Sequence, residues 1–394
     1  MAIAETIGIS MGSAALLLGV VGLALEIQYR RQPGNNLEVT SGEWKLEKPD
    51  PNRYLLVGEV EFRNRTRSLE IILPQVEADV TLLSKGSLLG INYRTLVVPL
   101  HPDAPAREDG YWFAYIVKAG KKTRAKIIVE IQGAELEQLQ TAWIRVNYLT
   151  YGPEGRIPKI YHALVPLQYP DTNIEPQWRS TPVAEVLPIK THLLTHLDEP
   201  IEIVKRYVLP YAQKGDIVAI AESPVAIMQN RFIDPATIKP GFVAKRLCYY
   251  FMSTSSLATA CGMQSLVDIV GPWRVVFAFI IGASAKVIFR RPGVFYELAG
   301  EQARLIDDVT GTLPPYDQFI VLGPENPQKV VEEIQRNTGI SAAIVDVNDL
   351  KAVKILAATA DVSQAFLEQA LRNNPAGNAD EQTPVVLIRP KTQG

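Results

Sequence analysis

Four aspartates stand in two close groups, Asp307 with Asp308 and Asp346 with Asp349. Each group closes a segment that otherwise reads as packed scaffold. Carboxylates gathered at chain turns are hard oxygen donors, suited to a divalent cation held against phosphate. Residues 299–350 are therefore where a metal and a nucleotide are expected to meet. An enzyme that activates a carboxylate as an acyl phosphate needs such a cation, with basic groups to clamp the phosphate oxygens. Lys190, Arg231 and Lys351, placed near expected strand ends, are the clamp candidates. No glycine-rich Walker loop is present, which excludes a P-loop mechanism. Plainer readings compete. Asp307-Asp308 before Val309-Thr310-Gly311 also fits an ordinary turn, and Asn348-Asp349 also fits a cap on the segment after it.

Other chemistry-bearing residues give less. His192 and His196 lie four apart, but their segment reads as strand then loop and no Glu follows His192, so a zinc pair is not expected. No Gly-x-Ser-x-Gly elbow supports a serine nucleophile. Cys248 and Cys261 lack a CxxC partner and read as reduced thiols.

A chain of 394 residues, 47% hydrophobic and 21% charged, implies two folded units with appendages. Its 40 basic and 42 acidic residues leave a net charge of -2 and no electrostatic reason to expect nucleic acid. Residues 6–27 are long and apolar enough for one membrane span, with Tyr29-Arg30-Arg31 behind them. Residues 1–31 are thus expected to be a transmembrane anchor in the bilayer, with the bulk of the chain cytoplasmic.

Residues 37–170 read as about seven short strands. Leu56, Val60 and Phe62 alternate with polar neighbours, as do Val76, Ala78, Val80 and Leu82. Alternation with turn-rich gaps predicts an all-β immunoglobulin-like sandwich, with one helical turn near 135–140. Lys121-Lys122-Thr123-Arg124 reads as a solvated hairpin tip, or as a contact for anionic lipid. Residues 171–188, with Pro176, Pro182 and Pro188, read as a linker. From Ile189 to about residue 390, strands and helices alternate, predicting an α/β or α+β domain. Residues 189–195 read as a strand and 199–211 as a helix. The strand at 216–222 is too uniformly apolar for a one-sided sheet. Later strands are expected at 319–322, 342–346 and 385–389, with a helix over 326–338. Residues 275–289 form a second apolar run, shorter than a span, and are expected to be an internal helix, with membrane contact as the alternative.

Six strings in this second domain resemble a known family: IKTHLLT at 189–195, GDIVAIAES at 215–223, VFYELAG at 294–300, LIDDVTGTLPPYD at 305–317, LGPENP at 322–327 and AAIVDVNDL at 342–350. Their order and spacing resemble the coenzyme F-420 γ-glutamyl ligases, over the second domain and none of the first 180 residues. The resemblance implies the γ-glutamyl ligase fold and a GTP-dependent ligase, using divalent Mg or Mn, that joins glutamate to a phospholactyl deazaflavin. It implies that Asp307 or Asp308 corresponds to one metal-binding acid and Asp346 or Asp349 to another. Glu222 and Ser223 fall where the family faces the nucleotide, and Lys351 stands nearest to a missing family arginine. The alternative is a membrane-tethered binding or assembly protein built on a ligase-derived fold, its sandwich recruiting a protein partner. A homodimer is compatible with either.

Overall fold

The computed structural model describes residues 17–28, 34–171, 175–253, 255–308, 313–347, 351–377 and 381–391. Most of the expected anchor (residues 6–16), its Arg30-Arg31 flank, the Thr310-Gly311 bend and Asp349 lie outside the described residues. The described end of the apolar run is a helix, α1 (Leu17–Gln28), with exposed leucines.

The sandwich has eight strands: β1 (Glu38–Asp50), β2 (Arg53–Arg63), β3 (Ile71–Ser84), β4 (Asn92–Leu100), β5 (Tyr115–Val117), β6 (Lys122–Gln132), β7 (Leu139–Gly152) and β8 (Gly155–Pro166). Two antiparallel sheets, ordered β1-β2-β6-β4 and β5-β3-β7-β8, face each other. Side chains alternate across a strand, so one face of each packs inward. Leu56, Val60 and Phe62 are fully buried against Ile71, Leu73, Ile127 and Ile144. Val76, Ala78, Val80 and Leu82 line the same core. The expected helical turn is a single 3-10 turn, Leu136–Gln138. The basic cluster at 121–124 is not a hairpin tip. Lys122 to Arg124 are part of β6, where Thr123 is buried and bonds His101, while Lys122 and Arg124 pair with Glu61 and Glu59.

The second domain is organised by a six-stranded mixed sheet ordered β16-β15-β11-β17-β10-β9. Its members are β9 (Arg179–Ser180), β10 (Ala184–Ile189), β11 (Ile217–Ala221), β15 (Ser341–Val347), β16 (Val353–Ala358) and β17 (Val385–Pro390). A three-stranded sheet joins β12 (Phe232–Ile233), β14 (Ile320–Val321) and β13 (Asp307–Asp308), in that order. The sheet begins before the expected boundary, and residues 190–195 are loop rather than strand. Pro188 lies inside β10, opposite Val386 of β17. The short β9 reaches only Glu185 and Val186, so no ladder bond is demanded of Pro188 on its other side.

Helix α2 (Pro200–Ile203) continues into a π turn, Val204–Val208. Strand β11 is buried on both faces as its composition requires and leads directly into α3 (Glu222–Met228). Then follow α4 (Phe242–Leu247), α5 (Ala260–Val270), α6 (Pro272–Phe289), α7 (Val294–Ala299), α8 (Gln302–Leu305), α9 (Pro327–Thr338) and α10 (Gln364–Leu371). Helix α9 ends on Gly339, whose φ of 76° suits a residue without Cβ. The apolar run after 272 is helical but not internal: of α6, Val275, Ala278 and Gly282 are buried, while Trp273, Phe277, Ile280 and Ile288 face outward.

The two units share a seam. Leu164 of β8 packs with Leu193, Ile227, Tyr316 and Phe319, and Trp143 joins them. Trp143 Nε1 donates to His162 Nδ1 at 3.1 Å. His162 therefore carries its proton on Nε2 and donates it to Asp234 Oδ2, also at 3.1 Å. Burial holds the imidazolium of His162 below its ordinary range, partly offset by Asp234. Beside it, burial pushes His196 down to about 4, and its Nε2 lies 3.1 Å from the Tyr161 hydroxyl.

Candidate functional site

A cleft of about 690 Å³ opens at the second domain's sheet. Its walls include Glu222, Ser223, Arg304, Asp307, Asp346 and His192. The topology explains the gathering. Strands β11 and β15 run parallel, with Ala221 beside Val345, so Glu222 and Asp346 both follow the same carboxyl-terminal edge. That edge is where open α/β sheets receive ligands. Asp307 arrives from the smaller sheet, pinned opposite Val321 of β14.

The three carboxyl groups sense one another. Burial pushes Glu222 up to about 9, and the charges of Asp346 and Asp307 push the same way, against a lesser pull from Lys354. Burial and Asp346 raise Asp307 to about 6, while a hydrogen bond from Ser223 opposes them. Glu222 is thus protonated at neutral pH. Its Oε2 is buried without a hydrogen-bond partner among the described residues, a cost that a ligand would relieve. Lys354 stands opposite Asp346 across the β15–β16 hairpin, and its Nζ lies 3.6 Å from Glu301. That Nζ is buried with no hydrogen bond of its own among the described residues.

The sequence-derived candidates separate here. Glu222, Ser223, Asp307 and Asp346 share the cleft. Asp308 neighbours Asp307 on β13, paired with Ile320, and its side chain lies outside the described residues, as does all of Asp349. Lys190 borders a smaller hollow with Lys85 and Gln140 of the sandwich. Arg231 donates from Nε to the Gly323 carbonyl at 2.7 Å and from Nη2 to Gln302, with Glu325 3.6 Å away. It ties loops together and is not on the cleft wall. Lys351 is exposed, with φ of 65°, and is also off the wall.

Arg304 and Lys354 escaped sequence reasoning. Arg304 precedes Asp307 by three positions on a short helix, a proximity that could have marked it. Lys354 could have been found only through hairpin register. His192 lines the cleft but is occupied, its Nδ1 2.6 Å from the Tyr207 hydroxyl and its Nε2 2.9 Å from Asp198. It and His196 do not form a ligand pair.

Among the described residues no group of three or more His, Cys, Asp or Glu side chains is already arranged around a metal position. The donor chemistry nevertheless fits a hard cation. Asp307 and Asp346 beside a protonated Glu222, whose Oε2 is orphaned among the described residues, would gain from positive charge placed between them.

Residues 38–169 match the family model described as F420-0:gamma-glutamyl ligase, N-terminal Ig-like domain. The match lies in the sandwich, which the sequence resemblance had left out, so the likeness to that family is not confined to the second domain. No curated protein matches the chain. Among solved structures, the GAE domain of yeast GGA1 is 14% identical, over 35% of this chain and 96% of that one, with a TM-score of 0.19. A FixG-related protein from Vibrio parahaemolyticus is 10% identical, over 33% of this chain and 94% of that one, with a TM-score of 0.18. AvmM, titled as catalysing macrocyclization in alchivemycin A biosynthesis, is 10% identical, over 36% and 94%, with a TM-score of 0.22. Such scores make these partial likenesses only.

Proposed function

We propose that the cleft binds a divalent cation, Mg or Mn, together with a nucleoside triphosphate such as GTP, and that the protein is a ligase-like enzyme for amide-bond formation. The observation that carries this reading is the set Glu222, Asp307 and Asp346 on one wall, with Glu222 Oε2 unpartnered. The family match to the sandwich supports a ligase relationship. Glu222, Asp307 and Asp346 would hold the cation, which when bound supplies charge neutralisation to phosphate oxygens. Ser223 orients Asp307 by hydrogen bonding to it. Arg304 is on the wall and would contact the phosphates. Glu222 holds a proton at neutral pH and releases it as positive charge arrives. We further propose that residues 6–27 tether the chain to a bilayer, leaving the cleft on the cytoplasmic side.

A second reading, ligand binding without turnover, is favoured by one observation: Lys190, Arg231 and Lys351 all lie off the cleft wall, which leaves Arg304 as the basic side chain on it among the described residues. Thermal unfolding with GTP or ATP plus manganese tests the site. A ligand at about 100 times its dissociation constant adds roughly 2.7 kcal/mol. The wild type gains this stability, and an Asp307→Ala, Asp346→Ala double variant does not. An equal gain in both removes the site. Stabilisation without glutamate-dependent phosphate release selects the second reading.

A further inference from the structure

Helix α6 presents its apolar residues to the wrong side for a core helix. At 100° per residue, Val275, Ala278 and Gly282 form one stripe. Gly282 belongs there because a Cβ would fall 2.8 Å from the backbone nitrogen of Phe295 in α7. The opposite stripe is also apolar, through Trp273, Phe277, Ile280, Ile281 and Ile288, and it is exposed, Trp273 by 84%. A helix apolar all round is normally covered on all sides. The patch continues onto the neighbouring turn, where Tyr250 packs on Phe279 at 5.2 Å and Tyr249 is 85% exposed. Contiguous exposed apolar surface of this kind marks an interaction site.

Charge selects the occupant. Residues 242–299 carry six cations (Lys245, Arg246, Arg274, Lys286, Arg290 and Arg291) against two acids, Asp268 and Glu297. Glu297 is engaged by Arg291. A two-fold interface between copies would set this surplus of positive charge against itself. Trp and Tyr beside Arg and Lys around an apolar stripe are instead the composition of a surface seated at a lipid headgroup layer. The chain also carries a separate apolar helix, α1.

We propose that the outward stripe of α6, with Tyr249 and Tyr250, seats on a bilayer whose headgroups are anionic, giving the second domain its own membrane contact. The inference rests in part on the tether reading of residues 6–27, since a tether keeps the stripe within reach of lipid. Trp273 is a built-in reporter, one of five tryptophans. The full chain is reconstituted into vesicles of equal parts neutral and anionic phospholipid with brominated acyl chains, and tryptophan quenching is measured. Wild type is quenched; Trp273→Phe and Phe277→Glu/Ile280→Glu lose most of that quenching, and neutral vesicles give less of it. Because Trp273 is exposed, its replacement leaves folding intact. Equal quenching in wild type and Trp273→Phe overturns the proposal, as does disulfide-linked dimer formation by Phe277→Cys in the same vesicles. An alkaline carbonate wash separates the two readings. Chain retained without Trp273 quenching sinks the α6 seat alone; chain washed off but quenched before the wash sinks the tether alone.

Discussion

The cleft and the seam both bury ionisable side chains, and His162 at the seam differs from Glu222 at the cleft in being fully partnered, although the neighbouring His196 keeps a buried Nδ1 without a partner among the described residues. At the seam, His162 has both ring nitrogens occupied, by Trp143 and Asp234, and Phe319 closes over it with ring centroids 4.9 Å apart. At the cleft, Glu222 has a buried oxygen with no partner and two acids pressing on it. Satisfied burial is a structural device; unsatisfied burial stores a demand for a ligand. Perturbation of a titratable group therefore does not by itself mark function here. Nor does a missing partner alone, since His196 Nδ1 at the seam lacks one among the described residues; the convergence of Glu222, Asp307 and Asp346 on one cleft does.

The largest expected effect lies at the seam. Phe319 is fully buried among Trp143, His162 and Phe232, so Phe319→Ala should cost roughly 3–5 kcal/mol in denaturant unfolding. Proteolysis near residues 171–178 should accelerate alongside. An effect below about 1 kcal/mol would mean the units do not depend on each other.

The cleft should respond with the opposite sign. Glu222 sits near 9 in the folded chain against 4.5 for the ordinary group, so folding at neutral pH takes up a proton at its expense. That destabilisation is absent below 4.5 and grows as pH rises toward 9. Glu222→Gln should raise stability at pH 7 by roughly 2–3 kcal/mol in cation-free buffer, and flatten the decline above it. Loss of stability in this variant would mean the carboxyl group has a partner of its own.

Acid separates the regions again. His196 titrates near 4 when folded against an ordinary 6.5, so its contribution is complete above 6.5 and is lost as pH falls from 6.5 toward 4. His162 acts in the same direction. Seam opening, followed by tryptophan emission, should thus appear on acidification, while the same fall in pH toward 4.5 relieves the Glu222 destabilisation at the cleft. The smallest effect is expected at Lys190, exposed and off the cleft: Lys190→Ala should change stability by less than about 0.5 kcal/mol and leave the nucleotide response intact.

How much was legible varied with the physical signal. Strands β2 and β3 announce themselves because a period of two with one buried face leaves a plain alternation, as at Leu56, Val60 and Phe62. Strand β11 was legible from uniform apolarity, and α9 from Pro327 and Gly339 at its ends. Pro188 misled because a proline's tolerance in a strand depends on which neighbour is missing. The exposure of α6 was hidden because a helix apolar on both faces shows no period that tells inside from outside. At the site, the acids were visible as residue types. Lys354 was not, since only hairpin register brings it near Glu222, and Arg304 was marked only by standing three positions before Asp307. Conversely, Arg231 looked like a phosphate clamp until its guanidinium was seen bonded to Gly323 and Gln302.

The most direct test is calorimetric titration of Mn into the full chain at pH 7, repeated in two buffers of different ionisation enthalpy. Binding should release about one proton per cation, because a protonated Glu222 must ionise to become a ligand. The same titration of Glu222→Gln should show weaker binding and no such release. Binding with no proton release, or unchanged binding and release by Glu222→Gln, would contradict the account.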